Sequence, residues 1–410
     1  MTMTYQLDVD ARRAIEALRN GVPNRFAVAA LGTWQTEAVN RFEALCGAGT
    51  AGPRGMMVRG DFGTGKSHLL MLLRERAKAM GYATAMVVVS KELPLGNPSR
   101  LIPRILLDAE LPDMAERGLP VIASRLNFNA RAFSEYFLWA DQWRFGEGWW
   151  SATLALYERL RAADELLDAI ARFWAGEPSL TASKVRQYLR ESGLGGAHAI
   201  GRLPTAESLN WQRLTFGARL CAATGHRGLV VFVDEIELIA QYSRLQRIKA
   251  YGVLGNLLGG VPRAELADAP LIVVGAVTRD FDEAVLRGKG DAEGVPRSAR
   301  EKYGEVFAKA VTAGMSAIAE SIALAAPTNE SIEQLLQKVT VLYHQAYPDW
   351  TPTYPQIPPL TLQTTVRSVI RRWITEWDLR RYYGTSGEIV ETDIGATPTE
   401  EELELAGDEE

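Results

Sequence analysis

The sequence predicts an α/β fold in which a parallel sheet is wrapped by helices. Three observations predict it. Four short runs, GMMVRG (55–60), YATAMVVVS (82–90), GLVVFVDEIELI (228–239) and LIVVGAVT (271–278), are apolar without polar alternation. That pattern belongs to strands buried on both faces. Stretches of helical periodicity separate the runs, so the connections are right-handed crossovers. The first run opens into a glycine-rich loop and then an apolar helix.

Taken in order, residues 5–46 read as two helices around NGVPNRFAV, where Gly21 and Pro23 break the pattern. The loop helix runs from Lys66 to about Met80. ESIALAAP (320–327) is a fifth, weaker strand because alanine dominates it. The segment from about 98 to 225 is too long for one crossover and reads as an inserted helical module. Six of the ten tryptophans lie in it: Trp139, Trp143, Trp149, Trp150, Trp174 and Trp211. Their helical spacing suits a module core, with a partner surface or a base-stacking platform as the alternative. Residues 329–383 read as a C-terminal helical domain with the proline-rich loop YPDWTPTYPQIPP (347–359) inside it. The resulting division is 1–97 (N-terminal helices and start of the core), 98–225 (insertion), 226–328 (rest of the core), 329–385 (helical lid) and 386–410 (acidic disordered tail).

Composition narrows the class. The 410 residues carry 45 Lys and Arg against 50 Asp and Glu, and hydrophobic residues make up 47%. Such a chain buries a real core. Ten of the acids lie between Glu388 and Glu410, a stretch without Lys or Arg. The body before it therefore has 45 basic and 40 acidic residues, a surplus of five. The tail reads as a solubilising end, or as a competitor for nucleic acid at a basic surface. Two cysteines and four scattered histidines show no disulfide or zinc spacing. No signal-peptide pattern and no run of about 20 apolar residues is present, so a cytoplasmic protein without a membrane partner is expected.

The loop Gly60-Asp61-Phe62-Gly63-Thr64-Gly65-Lys66-Ser67 matches G-x-x-x-x-G-K-[ST] in full. Glycines let backbone N–H groups converge on phosphate oxygens. The following helix aims its positive end at the same oxygens. Lys66 reaches the β- and γ-phosphates and Ser67 offers a hydroxyl to Mg²⁺. His68 reads as a packing residue at the edge of this cradle. In LVVFVDEIE, five apolar residues deliver Asp234 and Glu235 to a strand end, where ligands of open α/β sheets sit. Asp234 is the Mg²⁺-shell acid and Glu235 the general base for an attacking water. These features predict ATP and Mg²⁺ as cofactors. The chain has neither the Asn-Lys-x-Asp guanine motif nor a convincing Ser-Gly-Gly signature, which leaves the additional-strand ATPases, AAA+ among them.

The rest of the site is expected from strand ends and helices. Thr278 suits the polar sensor near the γ-phosphate. Arg297 and Arg300 in VPRSAREKYGE are arginine-finger candidates, or solvated helix charge. Arg367, Arg371 and Arg372 lie where a second sensor would be. Glu92 could couple a partner to Glu235.

ARRAIEALRNGVPNRFAVAALG, VRGDFGTGKSHLL, VVVSKELPL, VVFVDEIELI and RSVIRRWITEWDLRR together resemble the ATP-binding proteins of bacteriophage-exclusion (BREX) systems, BrxD-type or BrxC-related, within the origin-recognition-like AAA+ group. The resemblance spans about residues 11 to 383. It implies an ATPase in antiviral defence that associates with DNA and with other phage-defence proteins, and that assembles as a homo-oligomer. Two other readings compete. One is a slow-hydrolysing, ATP-gated adaptor that binds a protein partner. The other is a small-molecule kinase, against which the Asp234-Glu235 pair counts.

Overall fold

The computed structural model describes residues 2–48, 52–160, 164–353, 355 and 365–384. In chain order the helices are α1 (Thr2–Asn20), α2 (Arg25–Leu31), α3 (Thr36–Gly47), α4 (Lys66–Ala79), α5 (Pro98–Asp108), α6 (Leu119–Ala123), α7 (Arg131–Gln142), α8 (Trp149–Arg159), α9 (Asp164–Ala175), α10 (Ala182–Glu191), α11 (Ala206–Ala223), α12 (Arg244–Leu257), α13 (Asp291–Tyr303), α14 (Glu305–Ala319), α15 (Asn329–Ala346) and α16 (Val366–Tyr383). The strands are β1 (Arg54–Arg59), β2 (Ala83–Val88), β3 (Leu229–Asp234), β4 (Leu271–Val277) and β5 (Ile322–Ala323).

The strands form one sheet in the order β2-β3-β4-β1-β5, and every pairing is parallel. β4 thus separates the strand that feeds the glycine-rich loop from the strand that ends in Asp234. β3 and β4 are buried along their whole length, as their apolar runs require. Leu229, Val231, Val233 and Val273 face a core shared with α5, α11 and α12. On the other face the rings of Phe232 and Phe42 of α3 lie 6.1 Å apart.

By contacts the chain divides into two units. One comprises Gln35–Asp61 and Leu73–Leu324, and holds the sheet with α3 and α5 to α14. Its aromatic centre lies in the 98–225 segment. Trp149, Trp150 and Trp174 are buried, with Trp150 stacked on Phe216 at 4.6 Å. Two of these indoles are hydrogen-bonded inside the core: Trp150 Nε1 donates to Gln212 Oε1 at 2.9 Å, and Trp174 Nε1 to Thr153 Oγ1 at 2.9 Å. Of the two readings of these tryptophans, the core one holds for them, while Trp139 is only partly buried. Gly255 of α12 lets two helices touch backbone to backbone, since a Cβ there would meet Ala310 O of α14 at 2.0 Å.

The outer edge of β2 is covered. Thr84 and Glu110 exchange backbone hydrogen bonds, and the Asp108 carboxylate accepts the Met86 N–H at 2.8 Å. Covering an edge in this way removes a template for unwanted pairing. Glu110 is buried and meets Arg74 at 3.0 Å, Arg117 at 2.9 Å and Lys78.

The other unit comprises Met1–Trp34, Phe62–Leu72 and Ala325–Glu410. Ala14 and Ile15 of α1, Leu31 of α2, Val339 and Tyr343 of α15, and Trp373 and Trp377 of α16 share one buried cluster. Tyr343 donates to Asp378 Oδ1 at 2.7 Å, and Arg19 reaches Asp378 Oδ2 at 2.7 Å, so one carboxylate ties three of these helices. Side-chain caps set the helix starts: Asn24 for α2, and Thr328 with Ser331 and Thr365 with Ser368 as capping boxes for α15 and α16.

Three differences from the sequence reading have physical reasons. The N-terminal region holds three helices, because Gly32 ends α2 at φ 64° before α3 begins. β3 stops at Asp234, and IELI continues as a 3₁₀ turn over Ile236–Gln241. β5 spans two residues only. Most of the proline-rich loop and the whole acidic tail lie outside the described residues.

Candidate nucleotide site

In the smaller unit, the loop from Phe62 leads into α4, whose first residue is Lys66. Gly63 and Gly65 have φ of 75° and 98°, a backbone that side chains rarely adopt. At Gly63 space is also short: a Cβ would come within 2.8 Å of Thr365 Cβ, at the N-cap of α16. The loop therefore passes directly against the start of the last helix. Lys66 is buried, and its Nζ lies 5.0 Å from the ring centre of Phe62, which is 74% exposed. Thr64 and Ser67 are half-buried. His68 turns to α2, where its Nε2 lies 2.8 Å from Gly32 O. Burial lowers the pKa of His68, and the Gly32 carbonyl offsets part of that effect. The neutral ring with its proton on Nε2 fits this hydrogen bond, so His68 fastens the loop helix to α2.

In the larger unit, the carboxyl ends of β1, β4 and β3 lie side by side. Val277 pairs in register with Arg59, and Val233 with Gly275. Neighbouring strands lie about 4.8 Å apart, so the exits of β1 and β3 are roughly 10 Å apart with β4 between them. Gly60 N–H donates to Val277 O at 3.2 Å. Asp61 follows, exposed, and Arg279 reaches it at 3.5 Å. Thr278 is buried at the exit of β4. Asp234 is buried at the exit of β3, where its Oδ1 accepts the Glu235 N–H at 3.0 Å.

Glu235 has φ 58° and ψ 37°, one of two non-glycine residues with positive φ among the described residues. The left-handed region costs a side-chain-bearing residue about 1–2 kcal/mol. Such strain persists where the surroundings impose it, often at functional positions. Here it turns the chain off the strand and leaves Glu235 exposed beside the buried Asp234.

Arg297 and Arg300 lie on the exposed face of α13, paired with Glu301 at 3.0 Å and Glu305 at 2.5 Å. Glu92 is exposed and accepts from Ser90 Oγ at 2.8 Å. A buried ion pair escaped the sequence reading. Arg247 of α12 grips Asp291 of α13 with two hydrogen bonds of 2.7 and 2.8 Å, and Tyr251 donates a third at 2.9 Å. Arg247 also donates to Tyr242 O, just past the 3₁₀ turn that follows Glu235. Its only sequence signal is an acid at the start of a helix.

Among the described residues no group of three or more His, Cys, Asp or Glu side chains could hold a metal. The donors that the motifs supply are hard oxygens, the Ser67 hydroxyl and the Asp234 carboxylate. One or two such ligands suit Mg²⁺, which keeps waters and substrate phosphates as its other ligands.

The profile of the BREX system ATP-binding protein BrxC/D family matches residues 8–103 and 207–377. The chain belongs to this family. BREX is a phage-defence system, and the family's members are ATP-binding proteins. The two matched stretches contain the glycine-rich loop, Asp234, Glu235, Thr278, α15 and most of α16, whereas residues 104–206 fall between them. No curated protein and no solved structure matches the chain. No described helix is long and apolar enough to cross a membrane.

Proposed function

We propose that this BrxC/D-family chain is a Mg²⁺-dependent ATPase of the AAA+ type that uses hydrolysis to assemble or remodel a DNA-associated phage-defence complex. The observation that carries the reading is the sheet order. The strand that leads to Thr278 lies between the strand feeding the phosphate loop and the strand that ends at Asp234, next to Glu235. That arrangement sets a polar side chain and an acidic pair at the carboxyl ends of adjacent strands.

In this reading the backbone N–H groups of Gly60 to Ser67 and the Lys66 ammonium hold the β- and γ-phosphates. Ser67 and Asp234 would hold Mg²⁺, which would supply positive charge to offset the negative charge of the phosphates. Glu235 orients a water and accepts its proton as the oxygen bonds to the γ-phosphorus. The bond from that phosphorus to the β,γ-bridging oxygen breaks, and ADP departs with the electron pair. Thr278 donates to a γ-phosphate oxygen. Arg367, Arg371 and Arg372 of α16 are the candidates for a second sensor. The exposure of Arg297 and Arg300 supports their acting on a neighbouring subunit's nucleotide in a homo-oligomer. The body's surplus of five positive charges supports DNA contact, and both free cysteines are buried, as suits a cytoplasmic protein.

The test is turnover with and without duplex DNA across a salt series. Stimulation that fades with salt supports the DNA-linked ATPase. Slow turnover, indifferent to DNA, favours the ATP-gated adaptor instead.

A further inference from the structure

Asp61 sets a problem for the phosphate loop. It is the loop's second residue, an exposed carboxylate in a segment meant to attract a triphosphate. Its negative charge opposes that ligand. Arg279 answers it, with Nε 3.5 Å from Asp61 Oδ2. The guanidinium does not depend on Asp61 for its position. Its Nη2 donates to Leu324 O at 3.1 Å, just past β5, and Leu324 N–H in turn donates to Arg59 O at 2.8 Å, at the end of β1. Arg279 also follows directly on Thr278 at the exit of β4. A closed ring of contacts therefore runs from β4 through β5 to β1 and ends on the loop's acid. The loop's entry is held to β4 twice, by the Gly60 N–H on Val277 O and by Arg279 on Asp61.

We infer that Arg279 is a positioning residue of the nucleotide site that neutralises Asp61, so that the loop accepts a triphosphate, without itself bonding the phosphates. The inference rests on the ATP-site reading above and adds a residue and a role to it. Two alternatives make different predictions. An arginine that bonds a phosphate oxygen contributes whatever stands at 61. An arginine that shields Asp61 contributes only while Asp61 carries its charge.

The experiment is equilibrium binding of Mg-ATP to the full chain, for wild type, Arg279→Ala, Asp61→Asn and the double variant, at low and at physiological salt. Thermal unfolding of each confirms the fold. Arg279→Ala is expected to weaken binding by roughly three- to tenfold at low salt, and less at higher salt, as screening of a half-exposed charge requires. Asp61→Asn should bind at least as tightly as wild type. The double variant should return to within about twofold of wild type, because shielding has nothing left to shield. Double-variant binding as weak as that of Arg279→Ala would overturn the inference in favour of a direct phosphate contact. Unchanged binding in Arg279→Ala would remove Arg279 from the site. If wild type itself binds no Mg-ATP, the ATP-site reading fails first, and that result is distinct from both.

Discussion

Removing the Asp291 carboxylate should unfold the larger unit far more easily than any single surface change. Asp291 is fully buried and accepts three hydrogen bonds, two from Arg247 and one from Tyr251. Burial, followed by the charge of Asp291, raises the Tyr251 pKa well above its usual value, so the hydroxyl stays protonated and donating. In Asp291→Ala the Arg247 guanidinium loses its buried counter-ion. Such a break costs about 3–5 kcal/mol. Against a domain stability of about 5–15 kcal/mol that is a large fraction. The control is Arg247→Met/Tyr251→Phe/Asp291→Leu, which removes the charges together and should fall within about 1 kcal/mol of wild type or above it. Urea unfolding followed by tryptophan fluorescence measures both through the shift in midpoint at constant slope. A loss below about 1 kcal/mol in Asp291→Ala, or a triple variant as weak as the single, would refute a desolvated ion pair as the cause. The consequence for function is local: the pair joins the segment after Glu235 to the start of α13, which carries Arg297 and Arg300.

Four further predictions follow from the same geometry. Gly63→Ala must place a methyl within 2.8 Å of Thr365 at a φ of 75°, so ATP binding should fall at least tenfold, read by equilibrium titration. Trp150→Ala removes a fully buried ring stacked on Phe216 and should cost about 3–5 kcal/mol in denaturant unfolding. Glu235→Gly relieves about 1–2 kcal/mol of left-handed strain against about 0.5–1 kcal/mol of glycine entropy, so its melting temperature should not fall even though hydrolysis is lost. The lowered pKa of His68 means that the unfolded chain takes up its proton first as pH falls. Stability should therefore drop with acidification from about pH 6.5 down to the folded pKa, and His68→Gln should flatten that slope in a pH series of thermal melts.

What the sequence made legible was local. The loop, the start of α4 at Lys66 and the end of β1 depend on residues adjacent in the chain, and were readable to within a residue or so. The end of β3 was not, because IELI prolongs the apolar run, while the backbone turns at Glu235 through a conformation that composition does not announce. The helical spacing of the tryptophans favoured a core, which their burial bears out, but spacing places side chains on a face without saying what covers it. The charge partnerships were invisible for a different reason. Arg247 and Asp291 lie 44 residues apart, and Arg279 and Asp61 lie 218 residues apart. Only the fold brings such distant pairs together, and no sequence period marks them. The covered edge of β2 likewise depends on Glu110 returning to Thr84 after α5.

The most direct test of the account is ATP turnover by the purified full chain, measured beside Glu235→Gln with bound ATP quantified in both. The account predicts that wild type releases phosphate, and that Glu235→Gln binds ATP with similar affinity but turns it over at least a hundredfold more slowly, the range expected for removal of a general base. Equal turnover in the two proteins would contradict it, because the acid at the end of β3 would then not be the base.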